Sequence, residues 1–158
     1  MEFLVLLDLM RQKTVNGPLS HIRILDLSRV LAGPWAAQNL ADLGANVIKV
    51  ERPGEGDDTR KWGHPYLKDR DGQETRETAY NMAANRNKRS VTIDMAKPEG
   101  ASLVRQLALK SDILIENFRV GGATKFGLGY QGYLLSLSLS PIPIPYLNQF
   151  LSLTYLTY

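Results

Sequence analysis

Four short β-branched runs, each separated from the next by a helical pattern or a loop, constrain this chain more than any other feature. They read HIRILDLS (21–28), ANVIKVE (45–51), RSVTIDM (89–95) and DILIEN (112–117). Each is short and apolar enough to be a buried strand. After the first run, Ala36, Ala37, Leu40 and Leu43 recur at helical spacing. Pro34 sits in the opening turn, and Gly44 stands where a helix would stop. KPEGASLVRQLALKS (97–111) repeats the pattern: Pro98 lies near its start, and Leu103, Val104, Leu107 and Ala108 share one face. A shorter helix is predicted within ETAYNMAANRNK (77–88), and loops at about 52–75 and in FRVGGATKFG (118–127). Strands alternating with helices imply an α/β fold, a parallel sheet with flanking helices. Right-handed crossovers would gather the C-terminal ends of the strands on one rim, where open α/β sheets bind ligands. Residues 31–33, Arg52, 94–96 and 117–119 are predicted to share that rim.

Composition narrows the chemistry. The chain has 158 residues, enough for one ordinary domain or a piece of a larger one. It lacks cysteine, which excludes disulfides, zinc–thiolate sites and thiol nucleophiles. Only His21 and His64 could serve a Ser–His–Asp triad, and neither is in a convincing setting. The formal charge of +3 permits a polyanionic ligand without demanding nucleic acid, and no basic–aromatic run suggests single-strand binding. The first residues, MEFLVLLDLMRQK, carry Glu2 and Asp8 and lack a secretory pattern, so a short amphipathic extension (1–17) and a cytoplasmic location are expected. No metal site or permanently bound cofactor is expected; the EF-hand spacing is absent.

The loop after the first run, SRVLAGP (28–34), has one glycine where a dinucleotide fingerprint needs three. It reads either as a plain βα turn or as a passage for a different nucleotide-containing ligand over Ala32 and Gly33. In VERPGEGDDTR (50–60), Arg52 could stack on adenine or meet a phosphate. Glu55, Asp57 and Asp58 read as solvated. Arg86, Lys88 and Arg89 form a basic cluster that suits phosphate as well as it suits solvent.

Three blocks together resemble the amino-terminal part of the family III CoA-transferases, the formyl-CoA transferase and carnitine-CoA transferase group. They are RILDLSRVLAGPWAAQNLADLGANVIKVERPGEGDDTR, NRNKRSVTIDMAKPEG and DILIENFRVGGATKFGLGY, in the right order and separation. The resemblance spans residues 18–131 and implies an incomplete Rossmann-like large domain. It implies interlocked homodimers and transfer of CoA from an acyl-CoA to a carboxylic acid acceptor, with no membrane or nucleic-acid partner. It also implies where CoA would lie. Leu31 and Ala32 would stand beside its reactive end and Arg52 at the adenosine. Ile93, Asp94, Met95 and Ala96 would line the nucleotide, and Asn117, Phe118 and Arg119 would form a further contact segment. Lys125 replaces an Arg of the formyl-CoA enzyme, and Leu31 replaces a Gln. Lys88, Arg89, Arg119 and Lys125 would join Arg52 as cationic partners of the phosphates.

The family's chemistry uses an aspartate that forms a mixed anhydride and then an enzyme–CoA thioester. That aspartate follows a glycine loop which this sequence does not continue into, so no catalytic residue is assigned here. After about residue 131 the family pattern gives way to a Leu-, Ser-, Tyr- and Pro-rich tail (132–158) without charge, expected to be poorly ordered. The chain is expected to be an inactive fragment; a CoA-binding piece without chemistry and an unstable truncated product are the alternatives.

Overall fold

The computed structural model describes residues 16–129 and a further strand at 149–152. The N-terminal amphipathic stretch and most of the tail, including its Pro-Ile repeat, lie outside the described residues. In chain order the elements are β1 (Arg23–Asp26), α1 (Ala32–Asp42), β2 (Asn46–Glu51) and a 3-10 turn (Asp58–Lys61). Next come β3 (Tyr66–Lys68), β4 (Glu74–Thr78), α2 (Ala79–Asn85), β5 (Arg89–Thr92) and α3 (Pro98–Leu109). β6 (Ile113–Glu116), a second 3-10 turn (Ala123–Phe126) and β7 (Gln149–Ser152) complete the set.

The main sheet has the order β5-β2-β1-β6-β7, with every pairing parallel. Chain order reverses at β1: β2 and β5 lie on one side of it, β6 and β7 on the other. Such a reversal opens a crevice above the strand ends. Backbone 149–152 pairs with the edge of β6 as a parallel strand.

Side-chain alternation divides the sheet into two faces. Leu25, Leu27, Ile48, Val50, Ile93 and Leu114 meet Val104, Leu107 and Ala108 of α3. Ile24, Val47 and Ile115 meet Ala37 and Ala41 of α1. The small alanines let α1 lie close to the sheet. α1 ends at Leu43, and Gly44 follows at φ +100°, a conformation that needs glycine. Gly33 is needed for space: a Cβ there would run into the Ser28 side chain.

The loop predicted for 52–75 is more structured than its composition suggests. It holds a 3-10 turn and the antiparallel pair β3–β4, in which Tyr66 faces Thr78 and Lys68 faces Glu74. These strands are largely exposed, so no apolar alternation marks them. Turn chemistry holds them instead: the Asp69 carboxylate accepts from the Asp71 and Gln73 amides, both at 2.9 Å. Thr78 then caps α2 by accepting from the Asn81 amide.

Candidate functional site

A cleft of about 690 Å3 opens above the C-terminal ends of β1, β2, β5 and β6. Four loops supply its walls, and each follows a strand of the sheet. Arg29 and Val30 follow β1. Arg52, Gly56, Asp57 and Asp58 follow β2. Ile93–Ala96 follow β5, and 117–119 follow β6, with Lys125 and Phe126 closing one side. Nine residues singled out from the sequence line this cavity: Arg52, Ile93, Asp94, Met95, Ala96, Asn117, Phe118, Arg119 and Lys125. They come from three loops as much as 73 residues apart in sequence, which the parallel sheet draws onto one rim.

Four predicted residues are placed differently. Leu31 and Ala32 open α1 beside the cleft, partly buried, while Arg29 and Val30 of the same loop form its wall. Lys88 and Arg89, expected among the cationic partners of the phosphates, do not line the cleft. β5 begins level with Ile48 in mid-sheet, so Arg89 starts below the rim, while the Lys88 side chain lies on the α1 face of the sheet, away from the cleft. Arg89 reaches toward the opposite end of the strands, where its Nη2 donates to Asn46 Oδ1 at 2.8 Å. The Lys88 side chain is buried against α1. Its Nζ donates to Asp26 Oδ2 and the Pro34 carbonyl at 2.8 Å and to Asn85 Oδ1 at 2.9 Å. Burial holds its pKa below the ordinary lysine value, with Asp26 opposing that effect.

The reading of the acidic loop after β2 is corrected. Asp57 is 1 % exposed, not solvated. Gly54 and Gly56, at φ +73° and +71°, turn the chain back so that Asp57 passes beneath the β1 loop. There its carboxylate meets Lys49 Nζ at 3.0 Å and accepts from the Thr59 amide and hydroxyl at 3.0 and 2.8 Å. Burial works to raise the Asp57 pKa, but Lys49 and the Thr59 bonds outweigh it and hold it below the usual carboxylate value. Glu51 is held in the same way. Burial opposes ionisation, yet Arg60 donates to both of its oxygens at 2.7 and 2.9 Å. Ser90 Oγ (2.6 Å) and the Asp57 amide (2.8 Å) add to this, and the Glu51 pKa falls to about 2. Hydrogen bonding to Glu51, against the cost of burial, raises the Arg60 pKa above its ordinary value. Only Glu55 of the expected solvated trio is fully exposed, where it pairs with Lys61 and Arg52.

Lys49 and Asp57 are thus site-supporting residues that the sequence reading passed over. The available signal was a lysine at the centre of ANVIKVE, a strand buried on both faces. Arg29 was also missed. Its guanidinium lies 5.8 Å from the Phe118 ring centroid and 3.5 Å from Asp58 Oδ2. Arg29, Arg52, Arg119 and Lys125 share the lining of this partly apolar slot with Glu51, Asp57, Asp58 and Asp94, and Arg29 and Arg52 pair with Asp58 and Glu55. Among the described residues no group of His, Asp or Glu is placed to hold a metal ion. No described helix is long and apolar enough to cross a membrane.

An open parallel sheet with a crevice at its order reversal defines an α/β domain of Rossmann-like type. The chain belongs to CoA-transferase family III, whose model matches residues 19–134. It is 55 % identical over 114 residues to succinate–glutarate CoA-transferase of Agrobacterium fabrum, covering 72 % of this chain and 28 % of that protein. It is 47 % identical over 114 residues to succinyl-CoA:glutarate CoA-transferase of Homo sapiens, covering 72 % and 24 %. A CAIB/BAIF family protein from Brucella suis superimposes with a TM-score of 0.71 at 48 % identity, covering 77 % of this chain and 31 % of that one. The chain thus spans about a quarter of the length of the curated relatives it matches.

Proposed function

We propose that the cleft binds coenzyme A and that this chain supplies the CoA-binding part of a transferase that moves CoA between carboxylic acids. The observation carrying this reading is the convergence of nine residues from three separated loops, Arg52, Arg119 and Lys125 among them, on one partly apolar cavity. CoA combines a flat adenine, a diphosphate and a 3′-phosphate, which suits apolar walls of Ile93, Met95 and Phe118 beside Arg52, Arg119 and Lys125. Each charge-assisted contact that is desolvated is worth ~1.5–3 kcal/mol. Arg119 and Lys125 are exposed, so their share lies at the lower end. The two named relatives carry succinate or succinyl-CoA and glutarate in their names, which makes dicarboxylic acids the proposed donors and acceptors for the whole protein.

The chemistry proposed for that whole protein is attack of an aspartate on the acyl-CoA thioester. A mixed anhydride forms as CoA thiolate leaves. The thiolate then attacks the enzyme carbonyl and expels the donor's carboxylate, giving an enzyme–CoA thioester. The acceptor carboxylate attacks this thioester, releasing CoA thiolate and forming a second anhydride. The thiolate attacks its acceptor carbonyl to give the new acyl-CoA and the free aspartate. The buried carboxylates around this cleft do not suit the role. Asp57 is tied to Lys49, Glu51 to Arg60, and Asp26 to Lys88. We therefore assign this chain binding and no nucleophile.

Calorimetric titration of the 158-residue chain with CoA tests the reading. Saturable heat, weakened about tenfold by Arg119→Ala with Lys125→Ala, is the expected result. Absence of heat at millimolar CoA would refute it. Mixing the chain with succinyl-CoA and glutarate separates binding from turnover: CoA transfer by the purified chain would overturn the assignment of no nucleophile.

A further inference from the structure

Val30 is a β-branched residue at φ +71°, in the left-handed region where such side chains are strained. It forms part of the cleft wall. Strain of this kind persists only where surrounding structure enforces it, and here the enforcing groups can be named. Side chains, not secondary structure, hold the backbone of residues 28–30. The Ser28 amide donates to Asp26 Oδ1 at 3.0 Å, and the Ser28 carbonyl accepts from Lys49 Nζ at 2.7 Å. The Arg29 amide donates to Asn117 Oδ1 at 2.9 Å, and Asn117 Nδ2 donates back to the Arg29 carbonyl at 2.8 Å. The Val30 amide donates to both Asp57 oxygens, at 3.3 and 3.4 Å. Lys49 and Asp57 are bonded to each other, so one buried ion pair grips the loop at two points.

We propose that Lys49, Asp57 and Asn117 are positioning residues: a side-chain clamp that holds Ser28–Val30 in a strained form and so shapes the ligand cleft. Asn117 in this assignment acts through the Arg29 backbone, since both ends of its amide are engaged there. The three residues arrive from β2, from the loop after β2 and from the loop after β6. The clamp thereby ties the loops on either side of the sheet's order reversal into one wall. The isolated β1 loop, with no capping side chain on α1, has no means of adopting this shape.

The inference rests on the reading of the cleft as a CoA site, and two readouts keep the two separable. The first is the CoA dissociation constant; the second is hydrogen exchange of the Arg29 and Val30 amides, which needs no ligand. The test variant is Lys49→Met with Asp57→Ala, removing both charges so that neither is left buried and alone. Its amides at 29 and 30 should exchange about tenfold faster than those of the sheet core change, and CoA should bind about tenfold more weakly. Adding Val30→Gly should then recover affinity by about fivefold more than the same substitution does with the clamp intact, because glycine adopts positive φ without steric cost. A merely structural pair would lower stability and leave this coupling at zero. If that variant does not fold, Asp57→Asn, which keeps the side chain's shape, is measured in the same way against a threshold of about threefold. Unchanged exchange at 29 and 30, or equal effects of Val30→Gly in both backgrounds, would overturn the clamp. No CoA heat with the unmodified chain would refute the ligand reading and with it the clamp's role in binding, whatever the exchange shows.

Discussion

The two faces of the sheet are built on different principles. On the α3 face, Leu25, Leu27, Ile48, Val50 and Leu114 make an apolar layer across the middle of the strands, with polar Asn46 and Glu116 buried at its two ends. On the α1 face the layer changes character along the strands. Ile24 and Val47 are apolar near the N-terminal ends, but the next residues of the same parity are Asp26, Lys49 and Glu51. The register sets Asp26 opposite Lys49, and Lys49 opposite Ser90. A row of polar groups, buried at Asp26, Lys49 and Glu51 and exposed at Ser90, therefore crosses the sheet just below the cleft. One face stabilises the fold through area removed from water, which is non-directional. The other gives up part of that gain for directional bonds that hold loops in place, and its energy depends on every partner being present.

Breaking the pair on the polar face should have the largest effect. Lys49→Met alone leaves Asp57 buried without its cation, and the expected loss is ~3–5 kcal/mol of stability by denaturant titration. Lys49→Met combined with Asp57→Ala should restore most of this, which a purely apolar layer would not do. Next is the apolar face. Leu107→Ala, at a fully buried position on α3, should cost ~2–5 kcal/mol by loss of transfer energy and creation of a cavity. That loss should be nearly independent of pH between neutrality and mild acid, in contrast to the polar face.

Acid sharpens the contrast. The folded pKa of Glu51 is depressed from 4.5 to about 2, so the folded state binds fewer protons than the unfolded one in that interval. Its contribution is fully present above pH 4.5 and is lost as pH falls toward about 2, amounting to ~3 kcal/mol. Asp57, also depressed, acts in the same direction. Denaturant midpoints measured down the acid limb should fall steeply, and Glu51→Gln should flatten the part due to this group while lowering stability at neutral pH. The smallest effect is expected at the opposite rim, where Arg23 and Asp112 pair at 3.3 Å with side chains 45 % and 37 % exposed. Asp112→Asn there should change stability by less than ~1 kcal/mol at moderate salt.

Most of the architecture was legible from the sequence because local pattern and global fold agree. The four apolar runs became β1, β2, β5 and β6. The periodic stretches became α1 and α3, and Gly44 ended α1. The β3–β4 pair was not legible, since turn bonds and not buried alternation hold it. Part of the cleft's lining could be anticipated at Arg52, Ile93–Ala96 and 117–119, because residues just past parallel strand ends must share a rim. Lys88 and Arg89 looked equivalent to those cations in sequence, yet Lys88 is buried against Asp26 and the start of α1 and Arg89 reaches along the other face of the sheet to Asn46.

By itself, then, the order of residues determined the four main strands, the helices between them, their parallel arrangement, and the family to which the chain belongs. These depend on periodicity and on turn residues, which act over a few positions. Tertiary structure alone decided the fate of each charge. Whether Asp57 meets water or Lys49 depends on two glycines turning a loop beneath another that lies 27 residues earlier in the chain. Electrostatic energy depends on distance and burial in three dimensions, and neither is carried by residue type.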